Sequence, residues 1–167
     1  VDDIDVVNSM PEWQNMFGLV SQNIFLINDS ILKNITIGLH KEEIDQVKLE
    51  RSLELSRINE LVQNFPNKLE TLVGERGIRL SGGQMQRIAI ARALYNDPDI
   101  IIFDEATNAL DNESEKDILD SVRLLKGKKT IIMISHKIEN FINFDKIYIF
   151  ENGSITNSGK YTDLFNE

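Results

Sequence analysis

The sequence predicts an α/β fold, because apolar segments of strand length alternate with segments of helical pattern. Ile100–Phe103 is a run of four apolar residues, three of them β-branched, and Thr130–Ile134 is a second segment of this kind. Such runs are typical of strands that are buried on both faces of a parallel sheet. Between them, Glu113–Leu125 has apolar residues at helical spacing and is followed by Gly127, which favours a helix that covers the sheet.

The residues before Ile100 predict further strands and a group of helices. Val1–Val7 alternates apolar and acidic residues and is expected to form an edge strand. Met10–Trp13 is expected to form a turn that leads into a short helix. Met16–Val20 is predicted to be a strand. Lys41–Ser56 is predicted to be one amphipathic helix, and Ile58–Phe65 a second helix that stops at a proline.

The last part of the chain predicts a hairpin and a terminal helix. Lys146–Glu151 precedes Asn152-Gly153, the dipeptide that favours a type I′ turn between two antiparallel strands. Tyr161–Phe165 is predicted to be a short helix.

Composition limits the function classes. The chain has 167 residues, enough for one domain with a core, and its net charge of −9 argues against a nucleic-acid partner. It contains no cysteine, which excludes disulfides and thiolate chemistry within these residues. No run of about 18 apolar residues occurs, so these residues contain no candidate membrane span.

A candidate anion site lies at the start of a predicted helix that extends to Leu94. Ser81 and Gln84 have the spacing of a capping box. Gly82 and Gly83 have no Cβ, so a ligand can approach the backbone closely. The N–H groups at such a helix start favour phosphate, although a Ser-Gly-Gly turn alone also occurs in loops without a ligand.

Polar side chains follow three of the predicted strands. Asp104 and Glu105 end the Ile100 strand, where an acidic pair can hold Mg²⁺ and polarise water, although such a pair can also be solvated. Gln22 follows the strand that ends at Val20. His136 follows the strand that ends at Ile134, and it is expected beside Glu105 if these two strands are neighbours. Taken singly, a glutamine here is more often a loop residue bonded to backbone, and a histidine is more often structural.

Together these features resemble the ATP-binding cassette (ABC) family. Leu80–Gln84 matches its signature sequence, and Ile100–Glu105 resembles its Walker B motif. Asn108–Asp111 is similar to the D-loop, with Asn108 where serine is usual. Gln22 resembles the Q-loop glutamine and His136 the switch histidine. Val73–Gly77 is similar to the X-loop of exporters, and the resemblance covers nearly the whole chain.

The resemblance implies a role for each motif residue, with ATP and Mg²⁺ as cofactors. By this resemblance, Asp104 and Gln22 are magnesium ligands, Glu105 is the general base, and His136 contacts the γ-phosphate. The residues that bind the ATP of the partner domain are Ser81, Gly82, Gly83 and Gln84. Asp111 communicates across the dimer. Gln22 also counts among the catalytic residues, because it orients water. Arg87 and Arg92 are expected to be solvated or paired at the surface.

No G-x-x-x-x-G-K-[ST] sequence occurs in residues 1–167. The family places that phosphate loop upstream, so we interpret the chain as a C-terminal portion of a P-loop NTPase-type nucleotide-binding domain. The expected parallel-sheet core comprises residues 1–22 and 95–167, and the expected ABC helical subdomain comprises about 23–94. Residues 1–167 alone are expected to have no ATPase activity.

The expected function of the intact protein is ATP hydrolysis that drives export or flipping, with a lipid-linked saccharide as the candidate substrate. The expected partners are transmembrane domains and a second nucleotide-binding domain in a head-to-tail dimer, at the cytoplasmic face of the inner membrane, with no nucleic acid. The alternatives are a soluble ABC ATPase of the chromosome-maintenance or translation-factor kind and a non-catalytic interaction module. The exporter-like Val73–Gly77 segment and the acidic balance argue against the soluble ATPase.

Overall fold

The computed structural model describes residues 10–77, 79–108 and 110–165. The predicted strand Val1–Val7 lies outside them. The described α-helices are α1 (Met10–Asn15), α2 (Ile31–Ile35), α3 (Gln46–Leu55), α4 (Asn59–Gln63), α5 (Gly82–Tyr95), α6 (Asn112–Leu125) and α7 (Tyr161–Phe165). The strands are β1 (Phe17–Val20), β2 (Ile100–Asp104), β3 (Thr130–Ile134), β4 (Ile147–Glu151) and β5 (Ser154–Gly159). None of these described helices is long and apolar enough to cross a membrane.

Strands β1, β2 and β3 form a parallel sheet in that order, which confirms the predicted α/β fold. Phe17 pairs with Ile100, and Ile100 pairs with Thr130. The C-terminal ends of the three strands therefore lie at one edge of the sheet. This is the edge that binds ligands in open α/β sheets.

The prediction that β2 and β3 are buried on both faces is wrong for the described chain. Ile101 and Phe103 are fully buried on one face, whereas Ile132 and Ile134 are 46% and 48% exposed. Ile132 and Ile134 lie on the opposite face of the sheet. Leu19 lies in register with Ile102 and Ile132 on that face and is 60% exposed. Helix α5 packs closely behind β1, since a Cβ on Gly18 would lie 2.6 Å from the Ala93 carbonyl oxygen. The described helices therefore bury only one face of this sheet.

The helices from α2 to α5 enclose a hydrophobic core. Its fully or almost fully buried members include Leu26, Ile31, Ile35, Leu49, Leu53, Ile58, Val62, Val73, Ile88 and Ala91. The prediction of one helix over Lys41–Ser56 is wrong, because a 3₁₀ turn at Lys41–Glu43 is separated from α3. Asp45 interrupts the helix because its carboxylate accepts hydrogen bonds from the backbone N–H groups of Val47 and Lys48 as the N-cap of α3.

The chain divides into two compact units, the first ending at Ile134 and the second beginning at Ser135. The second unit contains the antiparallel pair β4–β5 and the terminal helix α7, as predicted. Asn152 and Gly153 join the two strands with φ values of 51° and 77°. Both values are positive, as a type I′ turn requires.

Candidate functional site

The first part of the candidate site is the start of α5, where the predicted capping box is present. The Ser81 hydroxyl accepts a hydrogen bond from the Gln84 backbone N–H at 3.2 Å, and the Ser81 N–H donates to Gln84 Oε1 at 3.0 Å. The helix runs for 14 residues behind this cap. Its N-terminal end carries partial positive charge and backbone N–H groups, which suit an anionic ligand.

The two glycines at this helix start have different surroundings. A Cβ on Gly83 would lie 2.2 Å from Ser114 Oγ and 2.6 Å from Ser114 Cβ, which is too close for any side chain. A Cβ on Gly82 would come no closer than 3.4 Å to Leu110 Cδ2. Gly83 is therefore required by the packing of α5 against α6. Sequence reasoning missed this reason, because it depends on a contact between residues 31 positions apart.

We expect Gly83→Ala to lower the free energy of unfolding by about 1–3 kcal/mol, the usual cost of overpacking a close contact. Gly82→Ala is the matched control, because it makes the same change one residue earlier where space exists. Urea unfolding of the complete nucleotide-binding domain measures both. Equal stability of the two variants would contradict the packing argument.

The second part of the site is the C-terminal edge of the parallel sheet. Asp104 is the last residue of β2, and Glu105 follows it with a φ of 49°, in the left-handed region. The Glu105 N–H donates to the Ile134 carbonyl at 3.0 Å, which ties this bend to the end of β3. The side chains of Asp104 and Glu105 are both half-buried.

Two amide side chains donate to the same carboxylate oxygen of Glu105. Gln22 Nε2 lies 2.8 Å from Glu105 Oε2, and Asn108 Nδ2 lies 2.6 Å from that atom. Gln22 and Glu105 were predicted separately and are 83 positions apart, and the sheet brings them together. Sequence reasoning placed Asn108 in the D-loop-like segment but did not connect its side chain with Glu105.

The side-chain oxygens at this edge are suitable ligands for a magnesium ion. Asp104 and Glu105 supply carboxylate oxygens, and Gln22 supplies an amide oxygen, which are the hard ligands that Mg²⁺ prefers. No group of three or more His, Cys, Asp or Glu residues suitable for a metal occurs within the described ranges. Mg²⁺ that also binds substrate phosphates usually has only one or two carboxylate ligands from the protein.

Asp111 is the N-cap of α6. Its carboxylate accepts from the Ser114 backbone N–H at 2.9 Å and from the Ser114 hydroxyl at 2.8 Å. The hydrogen bond from the Ser114 backbone N–H is the main cause that lowers the pKa of Asp111. Because Ser114 also contacts Gly83, the D-loop-like segment is connected with the start of α5 through one serine.

His136 lies in the second unit, two residues after the end of β3, and its side chain is exposed. Its proximity to Glu105, expected from neighbouring strands, stays a prediction.

The prediction of a surface position for the two arginines of α5 is half right. Arg87 forms an ion pair with Asp117, as expected, but both side chains are half-buried rather than at the surface. The hydrogen bonds of Arg92 go to backbone oxygens rather than to a carboxylate. Its Nε lies 2.7 Å from the Asn34 carbonyl oxygen, and its Nη1 lies 2.9 Å from the Phe25 carbonyl oxygen. Burial lowers the pKa of Arg92.

A sequence signal for the position of Arg92 exists. It lies four residues after Ile88 and three before Tyr95, and both of these residues are buried on one stripe of the helix. An arginine on that stripe must satisfy its donors inside the protein. The expectation of a surface position for Arg92 did not take this spacing into account.

Comparison with known proteins identifies similar chains. A family profile described as ABC transporter matches residues 1–108. An ATP-dependent lipid A-core flippase of Pseudoalteromonas translucida is 46% identical over 155 residues, which cover 93% of this chain and 26% of the relative. A multidrug resistance ABC transporter ATP-binding and permease protein of Lactococcus lactis is 43% identical over 159 residues, which cover 93% of this chain and 26% of that relative.

A solved structure, a bacterial Atm1-family ABC exporter with ATP bound, has the same fold. It matches with a TM-score of 0.81 and 35% sequence identity, over 92% of this chain and 27% of that structure's chain. The chain thus spans about a quarter of the length of the relatives it matches. From the profile match, the relatives and the shared fold, the chain belongs to the ABC transporter family.

Proposed function

We propose that the intact protein hydrolyses ATP to drive export or flipping of a substrate, and that Glu105 is its general base. The observation that carries this proposal is the pair of amide donors that orient the Glu105 carboxylate at the C-terminal edge of the sheet. A general base must be held within reach of a water molecule at the reacting phosphate. The names of the relatives, flippase and exporter among them, support the coupling to transport.

The other residues supply binding and orientation. Asp104 and the amide oxygen of Gln22 would hold Mg²⁺, which when bound neutralises phosphate charge. Glu105 accepts a proton from the attacking water, and His136 orients that water against the γ-phosphate. The helix start capped by Ser81 and Gln84 would present the N–H groups of Gly82 and Gly83 to the γ-phosphate of ATP on a second nucleotide-binding domain.

The proposed assembly is a head-to-tail dimer of nucleotide-binding domains beneath transmembrane domains, at the cytoplasmic face of the inner membrane. Asp111 would communicate across that dimer, because its segment contacts the Ser81 helix start through Ser114. Glu75, which is exposed at the start of the 3₁₀ turn Glu75–Gly77, is the candidate contact for the transmembrane domains. A net charge of −9 does not favour a nucleic-acid partner.

The proposed substrate is a lipid-linked saccharide. Support comes from several relatives from different organisms, at 38–46% identity, that are named ATP-dependent lipid A-core flippases. Another relative at 43% identity is named as a multidrug resistance ABC transporter, so a drug is the competing substrate class.

The experiment is reconstitution of the full-length protein in lipid vesicles. We expect Mg²⁺-dependent ATP hydrolysis, and ATP-driven movement of a labelled lipid-linked saccharide between leaflets. Movement of a fluorescent drug without the saccharide would contradict the substrate proposal. ATPase activity that is independent of lipid and coupled to no transport would favour the soluble ATPase, and absence of ATPase activity would contradict the enzymatic proposal.

Residues 1–167 alone should bind Mg-ATP at least about a thousandfold more weakly than the complete domain. A phosphate loop provides charge-assisted hydrogen bonds of about 1.5–3 kcal/mol each. Loss of two at about 2 kcal/mol corresponds to roughly a thousandfold in affinity. Calorimetric titration of both proteins measures this difference. A micromolar dissociation constant for residues 1–167 would contradict the proposal that the phosphate site requires residues outside this segment.

A further inference from the structure

We infer that Asn108 is a positioning residue for Glu105, and that its side-chain amide sets the orientation of the general base. The inference deepens the proposed function and rests on it. Asn108 Nδ2 donates to Glu105 Oε2 at 2.6 Å, a shorter distance than the 2.8 Å from Gln22 Nε2 to the same oxygen. Hydrogen bonds to a charged acceptor are stronger than those between neutral groups.

In the turn after β2, Asn108 makes two hydrogen bonds to Glu105, one from its backbone and one from its side chain. The Asn108 backbone N–H donates to the Glu105 carbonyl at 3.0 Å, and the Asn108 side chain donates to the Glu105 carboxylate. Glu105 itself has a φ of 49°, an uncommon conformation for a residue with a side chain. Such a conformation persists where the surrounding contacts determine it. The two contacts from Asn108 thus hold both the backbone and the carboxylate of Glu105.

Two independent parts of the fold orient the same atom. Gln22 approaches Oε2 from the segment after β1, whereas Asn108 approaches it from the turn after β2. Two donors on one oxygen fix the rotation of the carboxylate plane better than one donor does. A carboxylate whose plane is fixed presents its basic oxygen to water in one direction, which is what general-base catalysis requires.

The residue type matters at this position. The D-loop of the ABC family usually has serine at the position of Asn108. A serine hydroxyl lies one bond closer to Cβ than the Asn108 amide nitrogen does. Serine should therefore reach the Glu105 carboxylate less well from the same backbone position. Aspartate has nearly the shape of asparagine but has no N–H to donate, and its negative charge would repel Glu105.

The first test compares variants of the full-length protein in the ATPase assay. We expect Asn108→Ala to lower kcat about 10- to 100-fold, with the KM for ATP changed by less than about twofold, because misplacement of a catalytic group affects the reaction more than binding. Asn108→Asp should lose more activity than Asn108→Ala, and Asn108→Ser should recover part of it. Asn112→Ala is the matched control, since Asn112 is exposed at the start of α6, and it should retain wild-type kcat.

The second test separates positioning from a structural role. If Asn108 acts through the Glu105 carboxylate, Asn108→Ala should cause no additional loss of single-turnover rate in a Glu105→Gln protein. An equal fold-loss in both backgrounds, or a fall in melting temperature that accounts for the loss, would overturn the inference.

The outcomes distinguish the inference from the proposed function. A wild-type protein with ATPase activity and an Asn108→Ala variant with unchanged kcat would overturn the positioning role alone. A wild-type protein without ATPase activity would overturn the proposed function and the inference together.

Discussion

Glu105→Gln in the full-length protein is expected to lower kcat for ATP hydrolysis by about 10²–10⁴-fold, the usual contribution of a general base. The amide keeps the shape of the side chain but cannot accept the proton from water. Binding of Mg-ATP should persist, so the two nucleotide-binding domains should stay associated on ATP. Steady-state ATPase assays, with ATP binding measured separately, test the two expectations.

The matched control for this substitution is Glu54→Gln. Glu54 is an exposed glutamate of α3 with no place in the candidate site, and its change should leave kcat within about twofold of wild type. Retention of more than about a tenth of wild-type turnover by Glu105→Gln would place the general base elsewhere, with His136 as the next candidate.

Arg92→Ala is expected to lower the free energy of unfolding by about 2–4 kcal/mol. Arg92 makes charge-assisted hydrogen bonds to the carbonyl oxygens of Asn34 and Phe25 and to the Asn34 side chain at 3.2 Å. Each such bond contributes about 1.5–3 kcal/mol, and loss of the donor leaves acceptors unsatisfied beside the helical core. Urea unfolding of the complete nucleotide-binding domain measures the change.

Two further variants identify the cause of this loss. Arg92→Lys should recover only part of the stability, because an ammonium group cannot reproduce the planar set of donors. Arg51→Ala removes an exposed arginine that pairs with Asp97, and it should cost at most about 1 kcal/mol. If Arg92→Ala were as mild as Arg51→Ala, the contacts to the Asn34 region would be unimportant for stability.

Arg92 also connects two motifs. It belongs to the helix that begins at the Ser81 cap, and its hydrogen bonds reach the segment that follows Gln22. Asn34 continues this connection within that segment, because its side-chain amide donates to the carbonyl of Ile27 at 3.0 Å. Loss of Arg92 is therefore expected to loosen the segment after Gln22 from helix α5.

Local patterns in the sequence were enough to predict the features whose partners are close along the chain. The Ser81–Gln84 capping box depends on two side chains three positions apart, so its spacing identifies it. The Asn152-Gly153 turn depends on the positive φ that these two residues tolerate. The parallel strands were predictable because their apolar runs differ clearly from the helical segments between them.

Only the tertiary structure decided which long-range contacts these residues make. The Gln22–Glu105 hydrogen bond, the Gly83–Ser114 contact and the carbonyl partners of Arg92 join residues far apart along the chain. The exposure of Ile132 likewise depends on which helices cover the sheet, and a run of apolar residues does not contain that information. Asn108 lies three residues from Glu105, yet their contact depends on the left-handed bend at Glu105 at the end of β2. Spacing therefore determines the caps and turns of this protein, whereas packing determines the partners of its buried and catalytic polar groups.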